Sequence, residues 1–209
     1  MDAPGHKIKI SEMIVGTSLA DVAVLVISAR RGEFETGFER GGQTREHAIL
    51  AQVSGVSRLV VLVNKMDDPT VGWSKERYDE CVNKLQPFLK GIGFRRDRSL
   101  HFMPCSGYTG ANLMVGRQEN HPWYTGPPFI PYLDQLPDIE RDSSGPVRMP
   151  IAYKNVDMNN KMVIVGKVES GTLSLNQQLV LQPTGKNHLY IKSPNYFNYN
   201  YIKFKLKQA

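Results

Sequence analysis

The sequence predicts an α/β fold in which a parallel sheet comes first and antiparallel strands follow. Three apolar runs indicate buried strands, and segments with helical spacing separate them. Strands that alternate with helices are typical of a parallel sheet with helices on both faces. Beyond about residue 150 the pattern changes to short strands separated by turn residues, which indicates antiparallel pairing.

The first predicted elements are a helix and a strand. Apolar residues mixed with polar ones predict a helix over residues 7–20. The nearly continuous β-branched run Val22–Ser28 predicts a strand that is buried on both faces. A polar, glycine-rich loop is expected over residues 30–42, and helical spacing returns over residues 44–53.

The remaining elements of the parallel sheet follow the same alternation. Residues 59–64 predict the second buried strand, and residues 100–106 predict the third, with Cys105 as a buried thiol without a catalytic role. Between them, Lys75–Gly91 is amphipathic, and its apolar face is expected to carry Tyr78, Cys81, Val82, Leu85 and Leu89.

Composition excludes several classes of protein. The apolar fraction is 41% of 209 residues, as in globular proteins, and no apolar run approaches the ~20 residues that cross a bilayer. No secretory signal is visible at the N-terminus, and two cysteines make no disulfide framework, so a cytoplasmic location is expected. The net charge of +6 fits either an RNA partner or ordinary surface lysines.

A short motif at the end of the second predicted strand indicates nucleotide recognition. Asn64-Lys65-Met66-Asp67 follows the apolar run directly, at the strand end where doubly wound sheets bind ligands. The Asp67 carboxylate can accept hydrogen bonds from the N1–H and 2-amino groups of guanine. Asn64 can bond the other edge of the base, and the Lys65 stem can lie over the ring. The alternative is a polar strand exit with ordinary turn residues.

A second candidate segment, Asp2-Ala-Pro-Gly5-His6, suits phosphate and metal contacts. Asp2 can hold Mg²⁺ through a water molecule, and the Gly5 amide can approach a γ-phosphate closely because glycine has no side chain. His6 can orient an attacking water, which makes it the candidate catalytic residue. The alternative is a simple Pro-Gly turn after the start methionine.

The third segment, Ser106-Gly107-Tyr108, also lies at a strand end. Its backbone amides could meet the guanine carbonyl, and the Tyr108 ring could flank the base. Alone it is equally consistent with a tight turn. Because the three segments occur in the order that a GTPase requires, together they predict a site for GTP or GDP with Mg²⁺.

Longer motifs carry a resemblance to one family. Two short elements are Asp-x-Pro-Gly-His and Gly42-Gln-Thr-Arg-Glu-His47. Further stretches are Gly32-Glu-Phe-Glu-Thr-Gly-Phe38, Asn64-Lys-Met-Asp-Asp-Pro-Thr-Val71, Met103-Pro-Cys-Ser-Gly107, Pro122-Trp-Tyr124 and Pro128-Phe-Ile-Pro-Tyr-Leu133. In these motifs the chain resembles the GTP-binding release factors of eukaryotic translation termination, which are translational GTPases of the elongation-factor class. The two short elements are shared across that class, and the further stretches are more specific.

The resemblance implies an activity, partners and a domain plan. It implies GTP hydrolysis on the terminating ribosome, with the stop-codon-reading release factor as a second partner, and neither a membrane nor DNA. The implied fold is a partial doubly wound parallel-sheet GTPase domain followed by an incomplete antiparallel β-barrel. We expect the GTPase part over residues 1–136, a polar linker over 137–149, the start of the barrel over 150–184, and an atypical Tyr/Asn/Lys-rich tail over 185–209.

The sequence also departs from the family pattern. It contains no Gly-x-x-x-x-Gly-Lys-Ser/Thr phosphate loop, the segment that cradles the phosphates. The barrel that usually docks the stop-codon-reading factor has no counterpart in it either. We therefore expect an incomplete version of a release-factor GTPase whose 209 residues alone neither bind GTP tightly nor hydrolyse it. The alternative is a catalytically inactive fragment or isoform with at most an interaction role.

Overall fold

The computed structural model of the protein describes residues 10–39, 41–95, 99–115, 122–156, 162–174, 177–183, 186–190, 197–198 and 201–206. The chain divides into two compact units. One is formed by Asp21–Asp138, and the other combines Ser11–Ala20 with Ile139–Ala209. Helix α1 (Ile10–Leu19) belongs, from Ser11 onward, to the second of these units.

The Asp21–Asp138 unit contains the predicted parallel sheet. Strands β1 (Val22–Ser28), β2 (Arg58–Asn64) and β3 (Leu100–Pro104) lie in the order β1-β2-β3, and both pairings are parallel. In register, Ser28 lies beside Asn64, and Val63 lies beside Pro104. The carboxyl ends of all three strands therefore meet at one edge of the sheet. The predicted parallel α/β architecture is confirmed.

Helices lie on both faces of this sheet. Helices α2 (Glu33–Phe38) and α3 (Gln43–Val53) contact β1, and α4 (Lys75–Gly91) connects β2 to β3. Helix α5 (Phe129–Asp134) packs on the cluster formed by Val60, Leu62, Met103 and Cys105. None of the helices in the described residues is long and apolar enough to cross a membrane.

The expectation that β1 is buried on both faces is wrong. Leu25 and Ile27 are buried, but Val24 is 40% exposed and Val26 is 55% exposed on the other face. Side chains paired in a parallel register share a face, so Val24 and Val26 lie on the side that α5 covers at β2 and β3. Because β1 is an edge strand of the sheet and α5 covers its neighbours, much of this face of β1 stays open. Strand β2 is buried from Leu59 to Val63, as expected.

The polar loop expected over residues 30–42 contains helix α2. Gly32 adopts a φ of +84° before the helix, a conformation that glycine allows. The Glu35 carboxylate accepts a hydrogen bond from the Gly32 N–H at 2.6 Å, which satisfies one of the free donors at the helix start. Phe34 is buried and stacks on Phe38 with the ring centroids 5.7 Å apart. Capping and aromatic burial thus stabilise a helix where the glycines suggested a loop.

Helix α4 has the predicted bounds, and the Ser74 hydroxyl caps it by accepting the Arg77 N–H at 3.1 Å. The predicted apolar face is buried, except that Tyr78 is half-buried. Arg77 is buried as well, which the apolar pattern did not indicate. Its guanidinium pairs with Glu35 at 3.0 Å and Glu80 at 2.7 Å, and it donates to the Ala29 carbonyl at 2.7 Å.

The strand pairings in the unit that contains Ile139–Ala209 are antiparallel, as expected. Its strands are β4 (Ile151–Val156), β5 (Met162–Gly166), β6 (Gln178–Leu181), β7 (Lys186–Tyr190), β8 (Phe197–Asn198) and β9 (Tyr201–Leu206). They form one sheet in the order β4-β5-β9-β8 and a separate β6-β7 pair. The sequence did not predict β4. Strands β7, β8 and β9 come from the predicted atypical tail: β7 pairs with β6, β9 pairs with β5, and β8 pairs with β9.

Candidate functional site

The candidate site lies where β2 and β3 end. Asn64 is the last residue of β2, and Ser106 comes two residues after β3. A cleft of about 320 Å³ opens there, and its lining residues are Asn64, Lys65, Asp67, Asp68, Pro69 and Tyr108. The structure therefore brings four of the sequence-predicted base-contacting residues to one cleft.

The Asn64 side chain joins the two strand ends. Its Oδ1 accepts hydrogen bonds from the Lys65 N–H at 2.7 Å and from the Gly107 N–H at 2.8 Å. Both lone pairs of the oxygen are thereby used. The Asn64 Nδ2 group has no hydrogen-bond partner among the described residues, so the side chain offers the cleft donors only.

The loop after β3 is held mainly by its own hydrogen bonds. Ser106 is fully buried, its N–H donates to the Ala111 carbonyl at 3.1 Å, and its hydroxyl accepts the Thr109 N–H at 3.0 Å. Since Gly107 donates to Asn64, the amides of Ser106 and Gly107 are both engaged within the protein. Of the three amides that were expected to face a ligand, only that of Tyr108 is left, because its N–H has no partner in the described part of the chain. The Tyr108 side chain is 95% exposed.

The two neighbouring aspartates differ in their partners. Asp68 Oδ1 accepts hydrogen bonds from the Thr70 hydroxyl at 2.6 Å and the Thr70 N–H at 2.9 Å, and its Oδ2 pairs with Arg30 at 2.9 Å. The Thr70 hydrogen bonds, more than Arg30, hold the Asp68 pKa below its usual range. The half-buried Asp67 carboxylate makes no hydrogen bond or ion pair with any described residue. Asp68 therefore stabilises the loop, and Asp67 is available to a ligand.

Lys65 is held from outside the motif. It has a φ of +63°, and its Nζ donates to Glu33 Oε2 at 2.7 Å. The same oxygen accepts the Ser28 hydroxyl at 2.7 Å, while Arg30 donates to Glu33 Oε1 at 3.0 Å. The hydrogen bond from Lys65, followed by that from Ser28, holds the Glu33 pKa below its usual range. Sequence reasoning missed Glu33 as a site neighbour. Two signals pointed to it: β1 and β2 end at the same sheet edge, and Glu33 lies in the family-specific stretch from Gly32 to Phe38.

Cys105 lies beside the site but is not exposed to it. Burial, and to a lesser degree the Asp67 charge, raises the pKa of the Cys105 thiol to about 12. A thiol with this pKa is protonated at neutral pH, and only the thiolate is a strong nucleophile. The prediction of an inert buried thiol therefore agrees with its environment.

The predicted phosphate and metal residues, Asp2, Gly5 and His6, lie outside the described residues. Within the described ranges, no group of three or more His, Cys, Asp or Glu side chains is arranged to hold a metal ion. The part of the site that can be described is thus the part predicted to contact the base.

Comparison with known proteins gives the family of the chain. A family model described as the elongation factor Tu GTP binding domain matches residues 1–138. The chain is 56% identical over 184 residues to the eukaryotic peptide chain release factor GTP-binding subunit of Ogataea pini, a match that covers 88% of this chain and 24% of that protein. The same subunit from Zygosaccharomyces rouxii is 50% identical over 199 residues, which is 95% of this chain and 29% of that protein. The chain thus spans about a quarter of the length of these relatives.

Solved structures show the same similarity. A crystal structure of sup35 complexed with GDP aligns with a TM-score of 0.57 and 42% identity, over 93% of this chain and 49% of that one. The Saccharomyces cerevisiae Ski7 GTPase-like domain bound to GTP aligns with a TM-score of 0.66 over 100% of this chain and 52% of that one. At 20% identity, the second similarity shows the fold alone. Because the family model matches well over half of the chain, this protein belongs to the family of the elongation factor Tu GTP binding domain.

Proposed function

We propose that this protein binds guanine nucleotides, GTP and GDP, as part of a translational GTPase that acts in translation termination. The observation that carries the proposal is the set of hydrogen-bonding groups in the cleft beside β2 and β3 that no described residue engages. Asn64 Nδ2 and the Tyr108 N–H are donors, and the Asp67 carboxylate is an acceptor. The set is complementary to the edges of one base.

Guanine matches these groups in kind. Its N7 and O6 atoms are acceptors, which suit Asn64 Nδ2 and the Tyr108 N–H. Its N1–H and 2-amino groups are donors, which suit the two oxygens of Asp67. Adenine carries no 2-amino group and presents an acceptor at N1, so it would leave the half-buried carboxylate unpaired. An unpaired buried polar group costs about 1–3 kcal/mol, which is enough for discrimination.

The assignment to termination rests on the similar proteins. Relatives at 50% and 56% identity are GTP-binding subunits of the eukaryotic peptide chain release factor, and a similar solved chain is complexed with GDP. By this similarity the ribosome and the stop-codon-reading release factor are the proposed partners, in the cytoplasm. Hydrolysis of GTP by water is the proposed reaction.

The roles on the phosphate side rest on the sequence motif alone. Asp2 would hold Mg²⁺ through a water molecule, the Gly5 amide would meet the γ-phosphate, and His6 would orient the attacking water. The bound metal would neutralise charge that develops on the phosphates. The proposed domain plan likewise keeps a GTPase part over residues 1–136, a linker over 137–149, the start of a β-barrel over 150–184 and a tail over 185–209.

The test is a nucleoside titration that is followed by NMR of the ¹⁵N-labelled protein. Guanosine is expected to shift the Tyr108 and Gly107 amide signals, and adenosine is expected not to shift them. Asp67→Asn should weaken guanosine binding by at least about tenfold, since it leaves a single acceptor oxygen for the two guanine donors, N1–H and the 2-amino group. It should also strengthen xanthosine binding, because the new amide can donate to the carbonyl that xanthine carries at position 2.

Asp134→Asn is the matched control. It makes the same chemical change at an exposed residue at the end of α5, so it should leave both nucleosides unaffected. Equal responses to guanosine and adenosine in the wild-type protein would contradict the proposal. An unchanged guanosine affinity in Asp67→Asn would contradict the role of Asp67.

A further inference from the structure

We infer that Glu33 is a positioning residue for the guanine cleft, because its carboxylate holds the ammonium group of Lys65 at the cleft rim. This inference rests on the proposed function and goes beyond it. It assigns a role in base binding to a residue of helix α2 that lies outside the strand-end motifs. Glu33 does not line the cleft; it acts through Lys65, which does.

The geometry of the carboxylate supports a positioning role. One oxygen, Oε2, accepts both the Lys65 ammonium at 2.7 Å and the Ser28 hydroxyl at 2.7 Å. The other oxygen accepts the Arg30 guanidinium at 3.0 Å. Three donors therefore fix the carboxylate, and only one of them, Lys65, belongs to the cleft lining.

The supports of Glu33 are joined to the sheet edge. Ser28 is the last residue of β1 and lies in register with Asn64 at the end of β2. The Ala29 N–H donates to the Asn64 carbonyl at 2.8 Å, so the two strand ends cannot separate without loss of that bond. Glu33 thus bridges the exit of β1 to the residue that follows β2.

We expect the Glu33–Lys65 ion pair to order the Lys65 side chain and to add little to the stability of the fold. The ion pair is about half exposed on both sides, with 47% of the Lys65 side chain and 41% of the Glu33 side chain accessible, and such pairs add little to folding. A free lysine side chain, however, has many rotamers, and a base that packs along it would have to restrict them on binding. Because Glu33 restricts Lys65 beforehand, less of that entropy is lost when a base binds.

A second role for the Glu33 charge must be separated from this one. A carboxylate near a nucleotide site repels phosphates, so its removal could strengthen GDP binding through electrostatics alone. Guanosine carries no phosphate and is free of that effect. The two explanations therefore predict opposite changes for GDP, and only the positioning role predicts weaker guanosine binding.

The experiment uses the full chain and four variants: Glu33→Gln, Glu39→Gln, Lys65→Met and the double variant Glu33→Gln with Lys65→Met. Glu39 is exposed at the other end of α2, so its change to Gln is the matched control. Before any ligand is added, NMR of the Lys65 side chain should show faster motion in Glu33→Gln than in the wild type or Glu39→Gln. Guanosine titrations of all proteins then give the binding constants.

We expect Glu33→Gln to weaken guanosine binding roughly two- to fivefold, in line with the strength of an exposed ion pair, and to weaken GDP binding to a similar degree. In the Lys65→Met background the same change should have no effect. Unchanged Lys65 motion, an equal loss with Lys65→Met present, or tighter GDP binding with unchanged guanosine binding would each overturn the inference. If the wild-type protein shows no response to guanosine, the proposed function and this inference are both overturned. If the wild type binds guanosine and Glu33→Gln binds it equally well, this inference alone is overturned.

Discussion

Replacement of Arg77 by Met tests how the Asp21–Asp138 unit is stabilised. The Arg77 side chain is 3% exposed, yet it carries a charge. Its Nε donates to the Ala29 carbonyl at 2.7 Å, its Nη1 pairs with both Glu35 and Glu80, and its Nη2 donates to the Arg30 carbonyl at 3.3 Å. Met has a similar length but no donor, so the change removes every one of these bonds and keeps most of the packing.

The magnitude follows from the burial of each partner. Ala29 is fully buried, and a buried carbonyl that loses a charged donor costs about 1–3 kcal/mol. The Glu35 and Glu80 side chains are each 33% exposed, so water can partly replace the guanidinium, and each lost ion pair costs below about 1 kcal/mol. Together these losses should lower the free energy of unfolding by about 3 kcal/mol.

The assay is urea unfolding followed by tryptophan fluorescence. The sequence contains two tryptophans, Trp73 and Trp123, and both lie in the Asp21–Asp138 unit. The fluorescence change therefore reports the unit that contains Arg77. The free energy of unfolding is obtained by linear extrapolation to zero urea.

Lys84→Met provides the matched control. Lys84 donates to the same Glu80 carboxylate at 2.7 Å, but 47% of its side chain is exposed. Its removal should therefore cost below about 1 kcal/mol. If Arg77→Met costs no more than Lys84→Met, the buried hydrogen bonds of Arg77 do not stabilise the unit and the reasoning is refuted.

Two further predictions concern the same unit. Hydrogen bonds from Lys84, and to a lesser degree from Arg77, lower the Glu80 pKa from its ordinary 4.5 to about 2. The stability that this carboxylate contributes is therefore present above pH 4.5 and is lost as the pH falls from about 4.5 to about 2. Between pH 5, 4 and 3 the urea midpoint should fall less in Glu80→Gln than in the wild type, and an equal fall in both proteins would contradict this. Val61→Thr should lower the free energy of unfolding by about 1–3 kcal/mol because Val61 is fully buried. Val26→Thr should change it by less than about 0.5 kcal/mol, since Val26 is 55% exposed, and equal effects would contradict the open face of β1.

The sequence predicted well those elements whose apolar pattern and end signals are all visible in the element and the residues next to it. Helix α4 has an apolar face, a Ser74 cap and a glycine at its end, so its bounds could be predicted. Strand β2 is apolar from Leu59 to Val63, and both of its faces are buried there. In each case burial in the fold follows directly from residues that lie next to one another in the sequence or one helical turn apart.

The failures depend on tertiary context. Helix α2 forms because Glu35 caps it and Phe34 finds an apolar environment, and neither is visible in a stretch that also contains Gly32 and Gly37. The run of β1 resembles that of β2, but its position at the sheet edge leaves Val26 exposed. Sequence alone does not indicate which of two similar strands lies at an edge.

The candidate site divides in the same way. The cleft residues Asn64, Asp67 and Tyr108 could be predicted because each lies in a short motif at the end of a strand. The pairing of Lys65 with Glu33 could not, since the two are 32 positions apart and meet only when β1 and β2 end at one edge. The motif also could not indicate that the Gly107 amide is already bonded within the protein.

The hydrogen bond from the Gly107 N–H to Asn64 Oδ1 is the contact between the exits of β2 and β3 that lies farthest along the β3 exit, beyond the backbone hydrogen bonds of Cys105 with Val63 and Met66. Exchange of that amide proton with deuterium requires the bond to open, so its exchange rate measures how often the exits separate. The rate can be recorded without any ligand, and it should rise when Asn64 is changed to Ala. The exchange rate of this one backbone proton therefore measures how stably the ends of β2 and β3 are held together at the candidate site.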